Sequence, residues 1–243
     1  MKFKYLILFI LIFGACCFAG DGYRVLLNPE AKDVETNNIN KTLFILDYSN
    51  SMNEMLIDKT KYEMLLESMK VILSKISSQD KIGVRIYGHR WGFTPYDACR
   101  ASNLIIPIGI NNVDNISKSL SKYSPRGMTP ITYSLKQAVK HDFKGVEGDK
   151  HIILITDGGE NCDESPCKYA IDLVKYRKDI KIDVIAFNVG DGPDLDQLEC
   201  VSKVTKGQLF NADTKADLLK SLDYAYKTKK QVDAKIFMRE LTD

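Results

Sequence analysis

The chain has 243 residues, of which 44% are hydrophobic and 27% charged, and this composition excludes a disordered protein. The length suits one globular domain with short extensions. Without an amino-terminal leader that carries Lys2 and Lys4 and no acid, 32 basic residues face 32 acidic ones. Bulk charge therefore gives no support for binding to nucleic acid or to a membrane surface.

Residues 1–19 have the pattern of a secretory signal peptide, with two lysines, an apolar run over residues 5–13 and then small residues. The apolar run is too short for a confident membrane span. Cleavage after Ala19 would give a soluble protein, whereas the alternative "FGAC" would place a lipid on Cys16. We therefore predict an exported protein of the periplasm, the cell envelope or the medium, with a membrane contact only through a lipid on Cys16.

Residues 20–40 are mostly polar and are predicted to form a linker, with an edge strand as the alternative. Strand-like and helix-like segments alternate from Lys41 onward. The predicted strands are largely near-continuous apolar runs, as is typical of strands that are covered on both faces. They are Thr42–Asp47, Lys81–Tyr87, Asn103–Ile108, His151–Thr156, Lys181–Asn188 and Gln208–Asn211.

Amphipathic helices are predicted within residues 61–78, 111–123, 129–140 and 165–176 and after Thr214, from apolar residues that recur about every 3.6 positions. Thr129 and Ser165 each precede a proline and are predicted N-caps, and Thr214 with Asp217 predicts a capping box.

The alternation of strands and helices predicts a doubly wound, mostly parallel six-stranded α/β sheet with helices on both faces, in the strand order 3-2-1-4-5-6. No helix separates the second and third strands, so the third is predicted to be an antiparallel edge strand. The domain is predicted to span residues 41–230, followed by a tail at 231–243.

Oxygen-bearing side chains follow two of the predicted strands. The first strand ends in Asp47, followed by Ser49 and Ser51, and the fourth runs into Asp157; Thr129 precedes the helix that leads to the fourth strand. In open α/β sheets, ligands bind beyond the carboxyl ends of strands, where the winding reverses. Carboxylates and hydroxyls without sulfur or imidazole suit a hard cation, Mg²⁺ or alternatively Mn²⁺ or Ca²⁺. Taken singly, Ser51 could be a helix cap and Asp157 a turn residue.

These segments resemble the von Willebrand factor type A (vWA) domain, whose metal-ion-dependent adhesion site has the pattern D-x-S-x-S, then a Thr, then an Asp. The segments "IYGH", "TDGGENC" and "LEC" further resemble the bacterial exported branch of that family. The resemblance implies that the Ser and Thr hydroxyls can ligate a metal, that the Asp residues act directly or through water, and that the metal accepts a partner's carboxylate. Asn50 stands where the family commonly has Gly, and we expect a small strain because Asn tolerates left-handed backbone.

The resemblance implies a metal-dependent protein-interaction module, not an enzyme. A metal-dependent hydrolase and a purely structural envelope protein are the alternatives; the serines lack the G-x-S-x-G pattern of α/β hydrolases. Trp91, Phe93 and Tyr96 are candidates for the partner surface, with core packing as the alternative. His89 is expected to hydrogen-bond in a loop, and Glu160 is expected to be solvated.

Four cysteines lie beyond the leader: Cys99, Cys162, Cys167 and Cys200. In an exported chain this number predicts two disulfides, and a zinc site is a weaker alternative because no CxxC is present. The predicted strand order favours Cys99–Cys162, since both follow strands at one sheet edge, and Cys167–Cys200, on neighbouring helices. The local pair Cys162–Cys167 would leave the other two cysteines to meet across several strands.

Overall fold

Six strands pair in one sheet within the described part of the chain. The structure is a computed structural model that describes the backbone of residues 41–240 and the side chains of residues 41–227. The strands are β1 (Lys41–Asp47), β2 (Lys81–Tyr87), β3 (Ser102–Gly109), β4 (Lys150–Thr156), β5 (Ile180–Phe187) and β6 (Leu209–Ala212). The predicted signal peptide and linker, with the candidate lipid site Cys16, lie outside the described residues.

The strand order is β3-β2-β1-β4-β5-β6, and all neighbours are parallel except β2 and β3, which are antiparallel. This confirms the predicted fold class, including the antiparallel edge strand. The winding reverses between β1 and β4, which lie side by side although they are distant in sequence. The predicted fifth strand is one residue too long at its end, because Asn188 has a φ of 57° and leaves the extended region.

Helices connect the strands and cover the sheet. They are α1 (Lys61–Leu73), α2 (Pro95–Ala98), α3 (Val113–Leu120), α4 (Ile131–Gln137), α5 (Pro166–Leu173), α6 (Pro193–Val204) and α7 (Lys215–Glu240). As predicted, Ser165 caps α5 by accepting the backbone N–H of Lys168, and Thr214 and Asp217 bond to each other at the start of α7. The predicted domain boundary at residue 230 lies inside α7. Within the described range, no helix is long and apolar enough to cross a membrane.

Apolar side chains of the sheet are buried on both faces. In β1, Phe44 and Leu46 pack with α1, α3 and α7, whereas Leu43 and Ile45 pack with α4, α5 and α6. All four are 0% exposed. Each such burial stabilises the fold by about 1.5–3 kcal/mol, so the apolar runs of the sequence fix the sheet between two helical layers.

A buried ion pair connects β2 to the segment that follows α4, a π-helical turn at Ala138–Asp142. Arg85 donates from Nε and Nη2 to the two carboxylate oxygens of Asp142, at 2.6 and 2.7 Å. Its Nη1 donates to Ser102 Oγ at 2.9 Å, which also accepts from Ser134 of α4. These bonds together anchor α4 and the turn that follows it to β2 and β3.

Two disulfides are present, Cys99–Cys162 and Cys167–Cys200, with Cα atoms 5.5 and 5.3 Å apart. These are the pairs predicted from the sequence. They engage all four cysteines beyond the leader, which excludes the alternative zinc site on those residues. The first bond joins the end of α2 to the loop after β4, and the second joins α5 to α6. Each bond stabilises the folded protein by about 2–4 kcal/mol, mainly because it restricts the conformations of the unfolded chain.

Candidate metal site

The carboxyl ends of β1 and β4 meet at one edge of the sheet because the two strands are parallel neighbours. Asp47 is the last residue of β1, and Asp157 directly follows β4. Ser49 and Ser51 lie at the start of a 3₁₀ turn at Asn50–Asn53. Thr129 lies two residues after Gly127, which forms a bridge with Ser49. The fold thus brings the three predicted segments to one place.

A chain of hydrogen bonds links four of the five predicted ligands. The Ser49 backbone N–H donates to Asp47 Oδ1 at 2.6 Å. Ser51 Oγ donates to Asp157 Oδ1 at 2.8 Å, and the two serine hydroxyl oxygens are 3.0 Å apart. Because the Ser51 proton is directed to Asp157, Ser49 donates to Ser51. The two hydroxyls lie between the two carboxylates.

The Asp47 carboxylate is enclosed by protein. It is 0% exposed, and its Oδ2 accepts from the hydroxyl of Thr156 at 2.8 Å. Burial, together with the negative charge of Asp157, raises the pKa of Asp47 to about 6, although the hydrogen bonds from Ser49 and Thr156 oppose this. The electrostatics of this pair of carboxylates therefore favour a cation.

A positively charged side chain of the protein already contacts Asp157 at this site. Lys61, the first residue of α1, is 5% exposed and donates to Asp157 Oδ2 at 3.1 Å and to Glu54 Oε2 at 2.7 Å. This role of Lys61 was not predicted from the sequence. Its position before the apolar stripe of α1 does not distinguish it from a solvated lysine, and the partner is 96 residues away.

Thr129 does not cap the following helix, contrary to the prediction. The helix α4 begins at Ile131, and the flanking residue is Pro130. Asn161 instead fixes the Thr129 backbone by accepting its N–H at 2.7 Å. Thr129 is 4% exposed, and nothing among the described residues hydrogen-bonds to its hydroxyl. This hydroxyl is available to a ligand.

Glu160 was predicted to be solvated, and this prediction is wrong. Its two carboxylate oxygens accept the backbone N–H groups of Thr132 and Cys162, at 2.7 and 3.0 Å. Burial raises its pKa despite these bonds. Glu160 therefore braces the loop after β4 against the start of α4.

Two glycines allow three loops to touch at this edge. Gly88 has a φ of 71°, and a Cβ there would lie 2.6 Å from the backbone nitrogen of Ser49. A Cβ on Gly127 would lie 2.5 Å from the carbonyl oxygen of Arg90. Real Cβ atoms do not approach backbone so closely, so both positions need glycine for these loops to touch, and Gly88 allows the close approach of Ser49.

Asn50 does not carry the strain that was expected. Its φ is not positive, because the residue begins the 3₁₀ turn, and its side chain is exposed. The Asn50 backbone N–H donates to Gly127 O at 3.0 Å. A side chain is thus tolerated where the family commonly has Gly.

His89 packs against an aromatic ring and does not act as the predicted loop hydrogen-bonder. Its ring meets that of Tyr123 edge to face, with centroids 5.4 Å apart. The residue is 9% exposed, and its buried Nδ1 has no hydrogen-bond partner in the described part of the chain. Burial, and the charge of Arg90, lower its pKa to about 4.

We expect His89 to weaken the fold in mild acid. The unfolded state takes up a proton as the pH falls below about 6.5, whereas folded His89 stays neutral until about pH 4. The free energy of unfolding should therefore fall over this window by on the order of 2 kcal/mol through His89. The test is urea unfolding at pH 7 and at pH 4.5. Between these two pH values, His89→Gln should lose less free energy of unfolding than wild type does. The control His141→Gln, at an exposed position, should lose as much as wild type. An equal loss in all three proteins would contradict it.

The three aromatic residues of the segment after β2 are exposed, so core packing is wrong for them. Trp91 is 73%, Phe93 103% and Tyr96 63% exposed. The guanidinium of Arg100 lies over the Tyr96 ring, 3.6 Å from its centroid. The Cys99–Cys162 bond ties this segment to the loop that carries Asp157.

The donor set fits a hard divalent cation. It consists of two carboxylates and three hydroxyls, one of which is free of other hydrogen bonds, and such oxygen ligands suit Mg²⁺, Mn²⁺ or Ca²⁺. Among residues 41–227, no three His, Cys, Asp or Glu side chains come together as a metal site. A cation at this edge would thus rely on the hydroxyls of Ser49, Ser51 and Thr129.

Comparisons of the sequence identify related proteins. The family model described as von Willebrand factor type A domain matches residues 40–210. Uncharacterized protein YwmC of Bacillus subtilis is 27% identical over 180 residues, which cover 72% of this chain and 78% of YwmC. YwmD of the same organism is 25% identical over 162 residues, covering 65% of this chain and 70% of YwmD.

Solved structures of similar fold come from several organisms. BatB of Bacteroides thetaiotaomicron matches with a TM-score of 0.62 and 18% identity over 79% of this chain and 99% of BatB. A von Willebrand factor type A protein of Catenulispora acidiphila gives 0.62 and 18%, over 78% of this chain and 42% of that protein. Proximal thread matrix protein 1 of the mussel byssus was solved with a zinc-occupied metal-ion-dependent adhesion site (MIDAS) motif. It matches with a TM-score of 0.60 and 20% identity, over 79% of this chain and 46% of that protein.

Proposed function

Because the chain belongs to the von Willebrand factor type A domain family, we propose that it is an exported interaction module that holds one divalent cation and, through it, a partner's carboxylate. Domains of this family commonly mediate protein interactions. The observation that carries the proposal is the convergence of five oxygen-bearing side chains at the point where the winding reverses. They are Asp47, Ser49, Ser51, Thr129 and Asp157.

The cation is proposed to be Mg²⁺, with Mn²⁺ or Ca²⁺ as alternatives. When bound, it would supply an open position for an anionic oxygen of the partner. The serine and threonine hydroxyls would hold it, while Asp47 orients Ser49 through the backbone N–H and Asp157 orients Ser51. A mussel byssus protein of the same fold holds zinc at its own motif, which supports a metal at this edge.

A serine-based hydrolase has no support in the described residues. The hydroxyls of Ser49 and Ser51 bond to each other and to Asp157, and the buried Nδ1 of His89 bonds to neither. A serine nucleophile of the Ser–His type needs the imidazole within hydrogen-bond reach, and these residues do not form that pair. We therefore propose binding, and the experiment below tests the alternative of a metal-dependent hydrolase.

Export is supported by the two disulfides, because such bonds persist in oxidising compartments. The proposed signal peptide and the alternative lipid on Cys16 lie outside the described residues. Membrane attachment would come only through that lipid, and no nucleic-acid partner is proposed.

The test is capture of envelope proteins from the native organism on the immobilised domain, with Mg²⁺ and with EDTA. Wild type should retain a partner in Mg²⁺ only, and Ser49→Ala should lose it while keeping its fold. Retention in EDTA would overturn the proposal. Metal that raises the melting temperature without capture would indicate a structural envelope protein. Hydrolysis by metal-loaded wild type that Asp157→Ala abolishes would indicate a hydrolase.

We further propose that Trp91, Phe93 and Tyr96 form part of the partner surface beside the metal. Replacing both Trp91 and Phe93 with Ala should weaken partner binding by at least about tenfold, because buried aromatic anchors dominate interface energies. Mg²⁺ affinity should not change, since neither side chain belongs to the site. The control is Tyr176→Ala, an 84% exposed aromatic in the loop between α5 and β5, at the other edge of the sheet. Equal partner affinity in both variants would count against this surface.

A further inference from the structure

Lys61 places a buried positive charge directly behind the candidate metal site. Its ammonium donates to Asp157 Oδ2 at 3.1 Å, and the Asp157 side chain is 0% exposed. The second partner, Glu54, is 65% exposed, so water screens its charge. The charge of Lys61 therefore acts on the enclosed site mainly through its contact with Asp157.

Both oxygens of Asp157 are engaged by donors of the chain itself, Oδ1 by Ser51 and Oδ2 by Lys61. Asp47 has the same arrangement, with the Ser49 backbone N–H on Oδ1 and Thr156 on Oδ2. The difference is that only Asp157 is held by a charged donor. The site thus has two buried carboxylates and one buried ammonium, which contacts Asp157 and not Asp47.

The charges of this site can be counted. Asp47 and Asp157 contribute two negative charges, Lys61 one positive charge and a divalent cation two. With Lys61 the loaded site is positive by one unit; without Lys61 it would be neutral. In a partly desolvated site, one unit of charge at a few ångströms changes binding strongly.

We propose that Lys61 sets the charge of the metal site so that the loaded site favours an anionic carboxylate. Without metal, the ammonium partly offsets the repulsion between the two carboxylates. With metal, it weakens the binding of the cation alone and strengthens the binding of a carboxylate to the loaded site. This inference rests on the proposed function, because it assumes that a divalent cation binds at this edge.

Two substitutions remove the charge in different ways. Lys61→Gln keeps a hydrogen-bond donor, and Lys61→Met keeps the apolar stem. A matched control is Lys150→Met at the opposite edge of the sheet. The Lys150 side chain is 6% exposed, like that of Lys61, and pairs with Asp179 Oδ2 at 2.9 Å.

Three quantities separate the proposal from a merely structural role. In EDTA, both Lys61 variants should melt below wild type, because the carboxylates lose their counter-charge. Mn²⁺, measured calorimetrically, should bind them on the order of tenfold more tightly than it binds wild type. Acetate, followed by the water relaxation of the bound Mn²⁺, should bind the loaded variants on the order of tenfold more weakly. Lys150→Met should change melting alone.

The proposal predicts opposite changes in two affinities of the Lys61 variants, tighter for Mn²⁺ and weaker for acetate. Loss of a structural contact would weaken both affinities or neither. Equal Mn²⁺ and acetate affinities in wild type and the Lys61 variants would overturn the role of Lys61 and leave the metal site standing. Failure of wild type to bind Mn²⁺ would instead overturn the proposed function. If Lys61→Met does not fold without metal, the binding comparison with Lys61→Gln decides.

Discussion

Asp47→Ala should abolish Mg²⁺ binding, with a loss of more than about 100-fold, since removing even an outer-shell partner costs 10–100-fold. Asp47 lies at the end of β1, where it accepts the Ser49 backbone N–H at 2.6 Å and supplies one of two buried negative charges. Calorimetric titration of Mg²⁺ or Mn²⁺ into the purified domain measures the effect.

The fold should survive this substitution. In the metal-free protein the buried negative charge of Asp47 is disfavoured, as the Asp47 pKa of about 6 indicates. Removing the Asp47 carboxylate therefore also removes its repulsion with Asp157. The control is Asp191→Ala, an exposed acid that follows β5 at the same edge of the sheet. It should keep nearly the wild-type affinity. Equal affinities of wild type and Asp47→Ala would remove Asp47 from the site.

The largest effect on stability is expected for Asp142→Ala. This change leaves Arg85, whose side chain is 5% exposed, as an unpaired buried charge, and it should lower the free energy of unfolding by about 3–5 kcal/mol. That is a large part of the roughly 5–15 kcal/mol that stabilises a typical domain. Urea unfolding monitored by circular dichroism gives the value.

An exposed pair provides the comparison for Asp142→Ala. Lys136 and Glu164 are 45% and 35% exposed, and Glu164→Ala should cost no more than about 1 kcal/mol. Replacing Arg85 and Asp142 together with apolar residues should cost less than Asp142→Ala alone, because no buried charge remains unpaired. A loss for Asp142→Ala as small as that for Glu164→Ala would show that water reaches Arg85.

The sheet could be predicted from the sequence because its strands are apolar runs with local boundaries. "IILIT" in β4 and "VIAF" in β5 are buried on both faces, and no long-range information is needed to see that. The strand order then followed from the absence of a helix before β3 and from the alternation elsewhere. With the order known, the cysteine pairs followed as well.

The surroundings of the site could not be predicted, because they depend on contacts between distant segments. Lys61 meets Asp157 across 96 residues, and Asn161 accepts the Thr129 backbone N–H from 32 residues away. Glu160 likewise bonds the backbone of Thr132, a contact that its polar neighbours in sequence do not suggest. A hydroxyl before proline predicts a cap from local preference alone, and here the loop after β4 overrides it.

The central claim is that one divalent cation sits among the oxygens at the carboxyl edge of β1 and β4. A crystal grown with Mn²⁺ and measured at a wavelength where manganese scatters anomalously tests it most directly. We predict a single strong anomalous peak in contact with the hydroxyl oxygens of Ser49, Ser51 and Thr129, and its loss in Asp47→Ala crystals. A peak elsewhere, or no peak at saturating Mn²⁺, would contradict the claim.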